Sequence, residues 1–599
     1  MPTTRSTNRR AGGVGGDRAQ RGRLALSVPC ALLLVMLVWS ESSARVRFPA
    51  RAQANADSVE NAARRALVGG PGHPAMRWAR LDDVRETIFA LYDTVAWAPL
   101  WLDGGQPTPQ ARAVMLTLID AASYGFVPAD YDAGRLAAMA TYLESPQHRA
   151  AFDVALTANV ARFLRAVHDG RIDPRDAHAS LNIPRTLLDA ERAVRGVTMS
   201  KNIAADIASF EPPLVHYGLV KQSLARLRAS TAESMLTRLP SLPEGKARRQ
   251  DDSWIGTPQL GRLLAALGDA SASAMLTAND STGAPDSLLL GASVIDVLRR
   301  FQQRTGLEAD GVLGRGTYAM LTRPVTDKMR SLELTLERLR WLPHSFGAAP
   351  LIVNIPAFRL YVFANDRDDE QELLRMDVVV GSAFDTRTPV FSDTLTTIAF
   401  SPYWDVPSSI TRKEILPKAR RDAGYLSRNH YEVVRGERDD SPVLGTGAEA
   451  IAELAAGRAR LRQIPGAHNS LGRVKFLFPN SFNVYMHDTP TQSAFERARR
   501  DMSHGCIRLS NPVALARVLL ANDSTWTDER IAAAMAQPRP TYVRLRTPRP
   551  VFVMYATAMT TQDGETRFYP DIYGFDDDLA RRLAAGFPYR REIVVDRVY

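Results

Sequence analysis

Two short stretches near residue 500 hold residue types that can do covalent chemistry: Tyr485-Met-His-Asp-Thr-Pro490 and Ser503-His-Gly-Cys-Ile-Arg508. A cysteine attacks a carbonyl as its thiolate. It therefore needs a base for its proton, a group to orient that base, and hydrogen-bond donors for the developing oxyanion. Cys506 is the nucleophile in this reading, and His487, nineteen residues upstream, or the nearby His504 is the base. Spacing does not separate the two histidines. Gly505 has no side chain, so the N–H groups of Gly505 and Cys506 can approach a substrate carbonyl closely. A zinc set drawn from His487, His504, Cys506 and Asp488 is the competing chemistry. It lacks recognisable ligand spacing and leaves the Gly-Cys turn without a purpose, so a metal is set aside. On their own, Asp488 reads as a strand-end residue and Arg508 as a structural ion-pair donor.

The elements that must position these groups follow from periodicity. Residues 351–363 read as a hairpin, and 376–380, 394–400 and 474–478 as further short strands rich in β-branched and aromatic residues. Several short strands with little helix between them predict an antiparallel sandwich or barrel-like sheet. The pattern breaks at about 408–471, where charged and helical stretches predict an insertion over one edge of the sheet. Upstream, about 81–239 repeats apolar residues at helical spacing and predicts a helical scaffold. His168, His178 and His216 share no helix face with a second histidine and read as structural. Between about 254 and 321, two amphipathic stripes precede Phe301-Gln-Gln-Arg-Thr-Gly-Leu-Glu-Ala-Asp-Gly-Val-Leu-Gly-Arg-Gly-Thr317. Here Gly306 suits a helix end, Asp310-Gly311 a turn, and Thr317 the start of a last short helix.

With 599 residues the chain is too long for one hydrophobic core and predicts two to four domains. Apolar residues are 45% and charged residues 23%, which excludes a wholly disordered chain and a coiled-coil rod. The net charge of +10 is carried mostly by scattered arginines. Scattered charge argues against nucleic acid and suits an anionic envelope polymer or membrane surface. Two cysteines, Cys30 and Cys506, do not make a disulfide framework. Residues 1–44 read as an export signal: a basic leader from Arg5 to Arg23, an apolar run over 24–39, then Ser42 and Ala44 at cleavage-site spacing. A retained membrane anchor is the alternative to cleavage.

Two resemblances rest on these motifs. The Phe-Gln, Gly-Leu, Asp-Gly and Thr spacing of 301–317 resembles the small three-helix peptidoglycan-binding domain of bacterial wall enzymes. Ser503-His-Gly-Cys-Ile-Arg-Leu509, with the upstream Met-His-Asp-Thr-Pro, resembles the catalytic signature of the YkuD-type L,D-transpeptidases. Leu339-Arg-Trp-Leu-Pro343, Trp404-Asp-Val-Pro407 and the tail 551–574 extend that likeness to the long periplasmic Gram-negative subgroup.

The resemblance implies a multidomain α+β chain. Residues 1–44 would be signal or anchor, 75–250 the helical scaffold and 254–323 the peptidoglycan-binding domain. A mostly antiparallel β-sandwich catalytic domain would span 349–537, with a lid at about 408–471, and a C-terminal extension 538–599. It implies Cys506 as nucleophile, His487 as general acid/base and the backbone of Asp488 as its orienting group. His504 and Gly505 would form the oxyanion turn, with Tyr485, Ser503 and Arg508 meeting substrate. No cofactor and no metal are implied. The partners would be peptidoglycan stem peptides: a donor tetrapeptide and the diaminopimelate amine of an acceptor. The expected reaction is 3→3 cross-linking through a thioester with loss of D-alanine, open to acylation by carbapenems. The same thioester resolved by water, an L,D-carboxypeptidase, and a non-catalytic wall-binding scaffold are the alternatives.

Overall fold

The computed structural model describes residues 58–587 apart from 63, 66–71, 179–180, 182, 230–238, 244–245, 268–287, 367–371 and 385, with the backbone alone at 266. The expected export signal lies outside the described residues, as does part of the loop between the two amphipathic stripes.

The helical part is organised around α1, Pro146–Asp169. Its start is encoded locally: Ser145 accepts the His148 N–H and Pro146 sits in the first turn. Gly170, at φ 83°, ends it. The helix is buried on nearly every side because neighbouring helices surround it, and its core includes Leu91, Leu118, Tyr131 and Val194. Asp153 is enclosed there and accepts hydrogen bonds from the Leu100 and Trp101 N–H groups and the Tyr92 hydroxyl. Burial pushes its pKa up to about 6. The next long helix, α2 (Val215–Ala229), leaves this core and packs with the sheet below it.

The Phe-Gln…Asp-Gly…Thr pattern has a physical reason. On α3 (Ala292–Arg304), Gln302 is buried. Its amide nitrogen donates to Asp310 Oδ1 at 2.8 Å, Val312 O at 3.0 Å and Thr317 Oγ1 at 3.1 Å. Its oxygen accepts the Gly311 N–H at 2.8 Å. One side chain thus ties the turn to both helices of a small unit whose core is Trp254, Leu260, Leu264, Leu298, Phe301 and Leu313. Gly311, at φ 74°, fits where a Cβ would meet Ile295 at 2.7 Å. A connecting helix, α4 (Val325–Leu339), leads to the sheet, and its Arg338 makes a buried ion pair of 2.6 Å with Asp576 near the C-terminus.

The β-rich part contains β1 (Leu351–Asn354), β2 (Arg359–Phe363), β3 (Glu372–Gly381), β4 (Phe391–Phe400), β5 (Trp404–Asp405), β6 (Tyr431–Val434), β7 (Val443–Gly445), β8 (Arg460–Gln463), β9 (Val474–Leu477), β10 (Met486–His487), β11 (Asp501–Ser503), β12 (Ile507–Leu509) and β13 (Thr541–Met554). Nine of these form one sheet in the order β11-β3-β12-β10-β9-β4-β13-β1-β2. β2 also pairs with β3, so the sheet closes on itself like a barrel instead of splitting into two open layers. Most pairs are antiparallel; β10 with β12, β3 with β11 and β1 with β13 are parallel. β13 runs between β4 and β1, so the segment expected to be a C-terminal extension supplies a strand in the middle of the sheet. The core is Val353, Val378, Ile398, Phe476, Met486, Ile507 and Val553, covered by α5 (Pro512–Leu520) and by α2 and α4.

The insertion is more than loops and helices. β5, β8, β6 and β7 form a separate four-stranded sheet there, over a core that includes Ile410, Leu416, Leu426, Val433 and Leu461. A helical stretch, 408–421, contains a π-helical turn at Thr411–Ile415. Turns of this kind are frequent at functional sites.

Candidate active site

Register brings the motif residues together. β10 and β12 run parallel with Met486 level with Ile507 and His487 level with Arg508, and the Ile507 N–H donates to Tyr485 O at 3.0 Å. Side chains alternate along a strand, so the fully buried Met486 and Ile507 point into the core. Tyr485, His487, Cys506 and Arg508 consequently share the other face. With Ser503 and His504 they line one cavity of about 360 Å³, closed on its far side by Ile410, Glu414, Ile415, Lys418, Tyr425 and Tyr431 of the insertion. Asp488 and Gly505 do not line it.

His487 is buried, and its Nδ1 donates to the backbone carbonyl of Asp488. That fixes the tautomer and leaves Nε2 as an acceptor. Burial pushes the imidazole pKa down to about 3; the Arg508 and Lys475 charges act in the same direction, and the carbonyls of Asp488 and Leu471 oppose it. The Asp488 carboxylate is engaged elsewhere. It accepts the Arg473 N–H at 2.8 Å and the Thr489 N–H at 2.7 Å. Gly472, at φ 61°, makes room for it, since a Cβ there would lie 2.3 Å from Asp488 Cγ.

The Ser503–Cys506 turn is held by hydroxyls. Ser503 Oγ donates to Cys506 O at 2.6 Å and accepts the Gly505 N–H at 3.2 Å. Thr386 Oγ1 donates to Ser503 O at 2.9 Å, and Thr388 Oγ1 to Gly505 O at 2.8 Å. Gly505 adopts φ 110°, a conformation that side chains disfavour. The Gly505 N–H, expected to face a substrate carbonyl, is therefore committed to Ser503. Among the described residues the Cys506 N–H has no partner. His504 is exposed, its Nε2 2.8 Å from Glu414 Oε1 in the π-helical turn of the insertion.

Cys506 is half-buried, with its Sγ 3.7 Å from Asn483 O. Burial pushes its pKa up, opposed by hydrogen bonding to Tyr485 and by the charges of Lys475 and Arg508. The resting His487 is neutral and supplies no cation to offset desolvation.

Sequence reasoning missed Lys475 and the aromatic residues of the insertion. Lys475 pairs in register with His487, and its Nζ lies 3.7 Å from the centre of the Tyr485 ring. The alternation Val474-Lys-Phe476 shows that the lysine leaves the core, but only the pairing reveals what it faces. Trp404 and Tyr431, whose rings are 6.3 Å apart, form a wall of the cavity. No cluster of three or more His, Cys, Asp or Glu groups able to hold one metal ion occurs among the described residues.

Residues 350–526 match the family model of the L,D-transpeptidase catalytic domain, YkuD. Residues 86–224 match a scaffold domain, and 263–321 a domain described as "Putative peptidoglycan binding domain". The chain thus carries an L,D-transpeptidase catalytic domain of the YkuD family joined to a scaffold domain and a peptidoglycan-binding domain. A Haemophilus influenzae protein described as "Putative L,D-transpeptidase" is 31% identical over 250 residues, which are 42% of this chain and 49% of that relative. The chain therefore spans about half the length of this curated relative.

Proposed function

We propose that the protein is a cysteine-dependent L,D-transpeptidase that forms 3→3 cross-links between peptidoglycan stem peptides. The observation that carries this reading is the parallel pairing of β10 with β12. It sets the His487 imidazole and the Cys506 thiol on one face of one cavity, with His487 Nδ1 already bound to a carbonyl.

The steps follow from that geometry. His487 Nε2 takes the Cys506 proton, and the thiolate attacks the carbonyl of the L-centre of diaminopimelate in a donor tetrapeptide. The Cys506 N–H stabilises the oxyanion. As the tetrahedral intermediate collapses, the C–N bond to D-alanine breaks, the imidazolium protonates the departing amine, and a thioester remains. The side-chain amine of a second stem's diaminopimelate then attacks the thioester, His487 takes up the amine's proton, and the thiol is regenerated. Arg508 and Lys418 provide cationic sites at the cavity for substrate carboxylates. The insertion limits water, which competes with the amine for the thioester.

A wall substrate places the protein outside the cytoplasm, in the periplasm, and the three-helix unit would hold it to the polymer. No helix among the described residues is long and apolar enough to cross a membrane. Incubating the purified protein with disaccharide-tetrapeptide and weighing the products tests the reading. A cross-linked dimer lighter by one D-alanine is expected. Tripeptide alone would make the protein an L,D-carboxypeptidase, and unchanged substrate would leave a wall-binding scaffold.

A further inference from the structure

We propose that Lys475 is a positioning residue of this reaction: its ammonium, seated on the Tyr485 ring and level with His487, supplies the positive potential that stabilises the Cys506 thiolate as it forms. The inference rests on the cysteine mechanism above and adds a group that the motif does not contain.

Four pairings place the lysine. Arg508, His487, Lys475, Ala399 and Tyr542 form one row across β12, β10, β9, β4 and β13, so their side chains rise from the same face of the sheet. Lys475 Nζ lies 3.7 Å from the centre of the Tyr485 ring, a cation–π distance. Tyr485 and Cys506 line the same cavity, and each bears on the other's ionisation. Among the described residues no carboxylate forms an ion pair with Lys475. The acid that bears on it is Asp439 of the insertion, which already accepts from the Tyr542 hydroxyl at 2.9 Å. A shielded ammonium without a counter-ion is costly unless an anion is supplied. The anion that faces it here is the thiolate.

The other groups at the site do not fill this role. His487 is neutral at rest because burial holds its pKa near about 3. The fixed cations acting on Cys506 are Lys475 and Arg508. Arg508 lines the cavity and is open to substrate, whereas Lys475 stands behind Tyr485 and does not line it. The division that follows is Arg508 toward substrate and Lys475 toward the nucleophile. In the proton ledger, the Cys506 proton moves to His487 Nε2, and Lys475 keeps its own proton throughout. Burial lowers the lysine pKa to about 8, so its charge is largely present at pH 7 and is lost above pH 8. The groups facing it through that change are Tyr485, His487, Cys506, Arg508, Asp439 and Tyr542.

The test uses the full chain and does not depend on turnover. Iodoacetamide alkylation of Cys506 is followed by intact mass from pH 5 to 10, with Cys506→Ala subtracting any reaction at Cys30. Lys475→Gln and Lys475→Met should each slow alkylation about tenfold at pH 7 and move its midpoint up by about one pH unit. Lys475→Arg should stay within about threefold of the parent. Neutral variants whose profiles superimpose on the parent, or an arginine variant as slow as the glutamine one, would overturn the proposal. Should the neutral variants fail to melt cooperatively, the parent decides: two ionisations, one near pH 8, are expected, and a single titration overturns it. Retained turnover in Cys506→Ala would instead remove the cysteine mechanism itself, so the two failures are distinguishable.

Discussion

The carbonyl of Asp488, not its carboxylate, orients His487: the imidazole Nδ1 donates to the backbone oxygen, while both carboxylate oxygens accept backbone N–H groups of Arg473 and Thr489. Asp488→Asn, which keeps one carbonyl acceptor, should therefore leave turnover within about threefold of the parent. Its expected effect is on the loop, at about 1 kcal/mol of stability from one weakened hydrogen bond. Steady-state kinetics beside a urea melt separates the two. A hundredfold loss of turnover would mean that the carboxylate acts in the chemistry.

The two histidines of the motif have opposite surroundings. His487 is buried beside the thiol, and His504 is exposed and bound to Glu414. His487→Ala should lower turnover about 10²–10⁴-fold, as removal of a general base does. His504→Ala should cost less than about tenfold. The reverse ranking, measured on one soluble fragment, would move the base to His504.

The Glu414–His504 contact joins the insertion to the Ser503–Cys506 turn across a half-exposed carboxylate–imidazole contact. Such pairs contribute about 0.2–1 kcal/mol, so Glu414→Gln should raise the ratio of hydrolysed to cross-linked product by no more than about fivefold. Product analysis at equal conversion checks this. An unchanged ratio would show that the contact does not govern water entry.

Much of this site was legible in the sequence, and the illegible part has a common cause. The Cys506 and His487 motif, the Gln302 turn and the alternation of 351–363 are local patterns, readable because the chemistry or the pleat repeats over a few residues. Lys475 was missed because its role depends on register across β9 and β10. The sheet of the insertion was missed because Tyr431–Val434 and Arg460–Gln463 are four-residue strands that contain Glu432, Arg460 and Arg462. Closure of the barrel depends on β2 meeting β3 and on β13 crossing from the far end of the chain, and no local period encodes either. The commitment of the Gly505 N–H to Ser503 is likewise a matter of a hydroxyl rotamer.

Tyr573, from the C-terminal region, supports the Ser503–Cys506 turn through Thr388. Its hydroxyl donates to Gly381 O at 2.6 Å and accepts the Thr388 N–H at 3.2 Å, and Thr388 in turn holds Gly505 O. Tyr573→Phe leaves a buried N–H and a buried carbonyl short of a partner, at about 1–3 kcal/mol. The expected kinetic result is a kcat reduced about tenfold with KM little changed, because the turn loosens while the cavity walls stay. A change confined to KM would contradict this.

Stability should fall in acid for an identifiable reason. Burial pushes His178 and His487 to about 3, so the unfolded chain binds their protons first as pH drops below 6.5. Their contribution is intact above pH 6.5 and is lost progressively toward pH 3, at roughly 1.4 kcal/mol per pH unit for each group. Asp153 works the other way between its ordinary pKa of 3.8 and about 6, since its folded form prefers the proton. The three together leave a net loss of roughly 1.4 kcal/mol per unit across that window. Urea melts from pH 7 to 4.5 should show this slope, and His178→Gln should flatten it. A slope unchanged in the variant would assign the acid sensitivity to other groups.

The central claim is that Cys506 carries the donor peptide as a thioester. Rapid acid quenching of the protein with disaccharide-tetrapeptide, followed by intact mass, tests it most directly. The account predicts a transient adduct equal to the donor minus D-alanine, one per chain, which is discharged by an added diaminopimelate amine and absent in Cys506→Ala. Turnover without any such adduct, or an adduct that persists in Cys506→Ala, would contradict it.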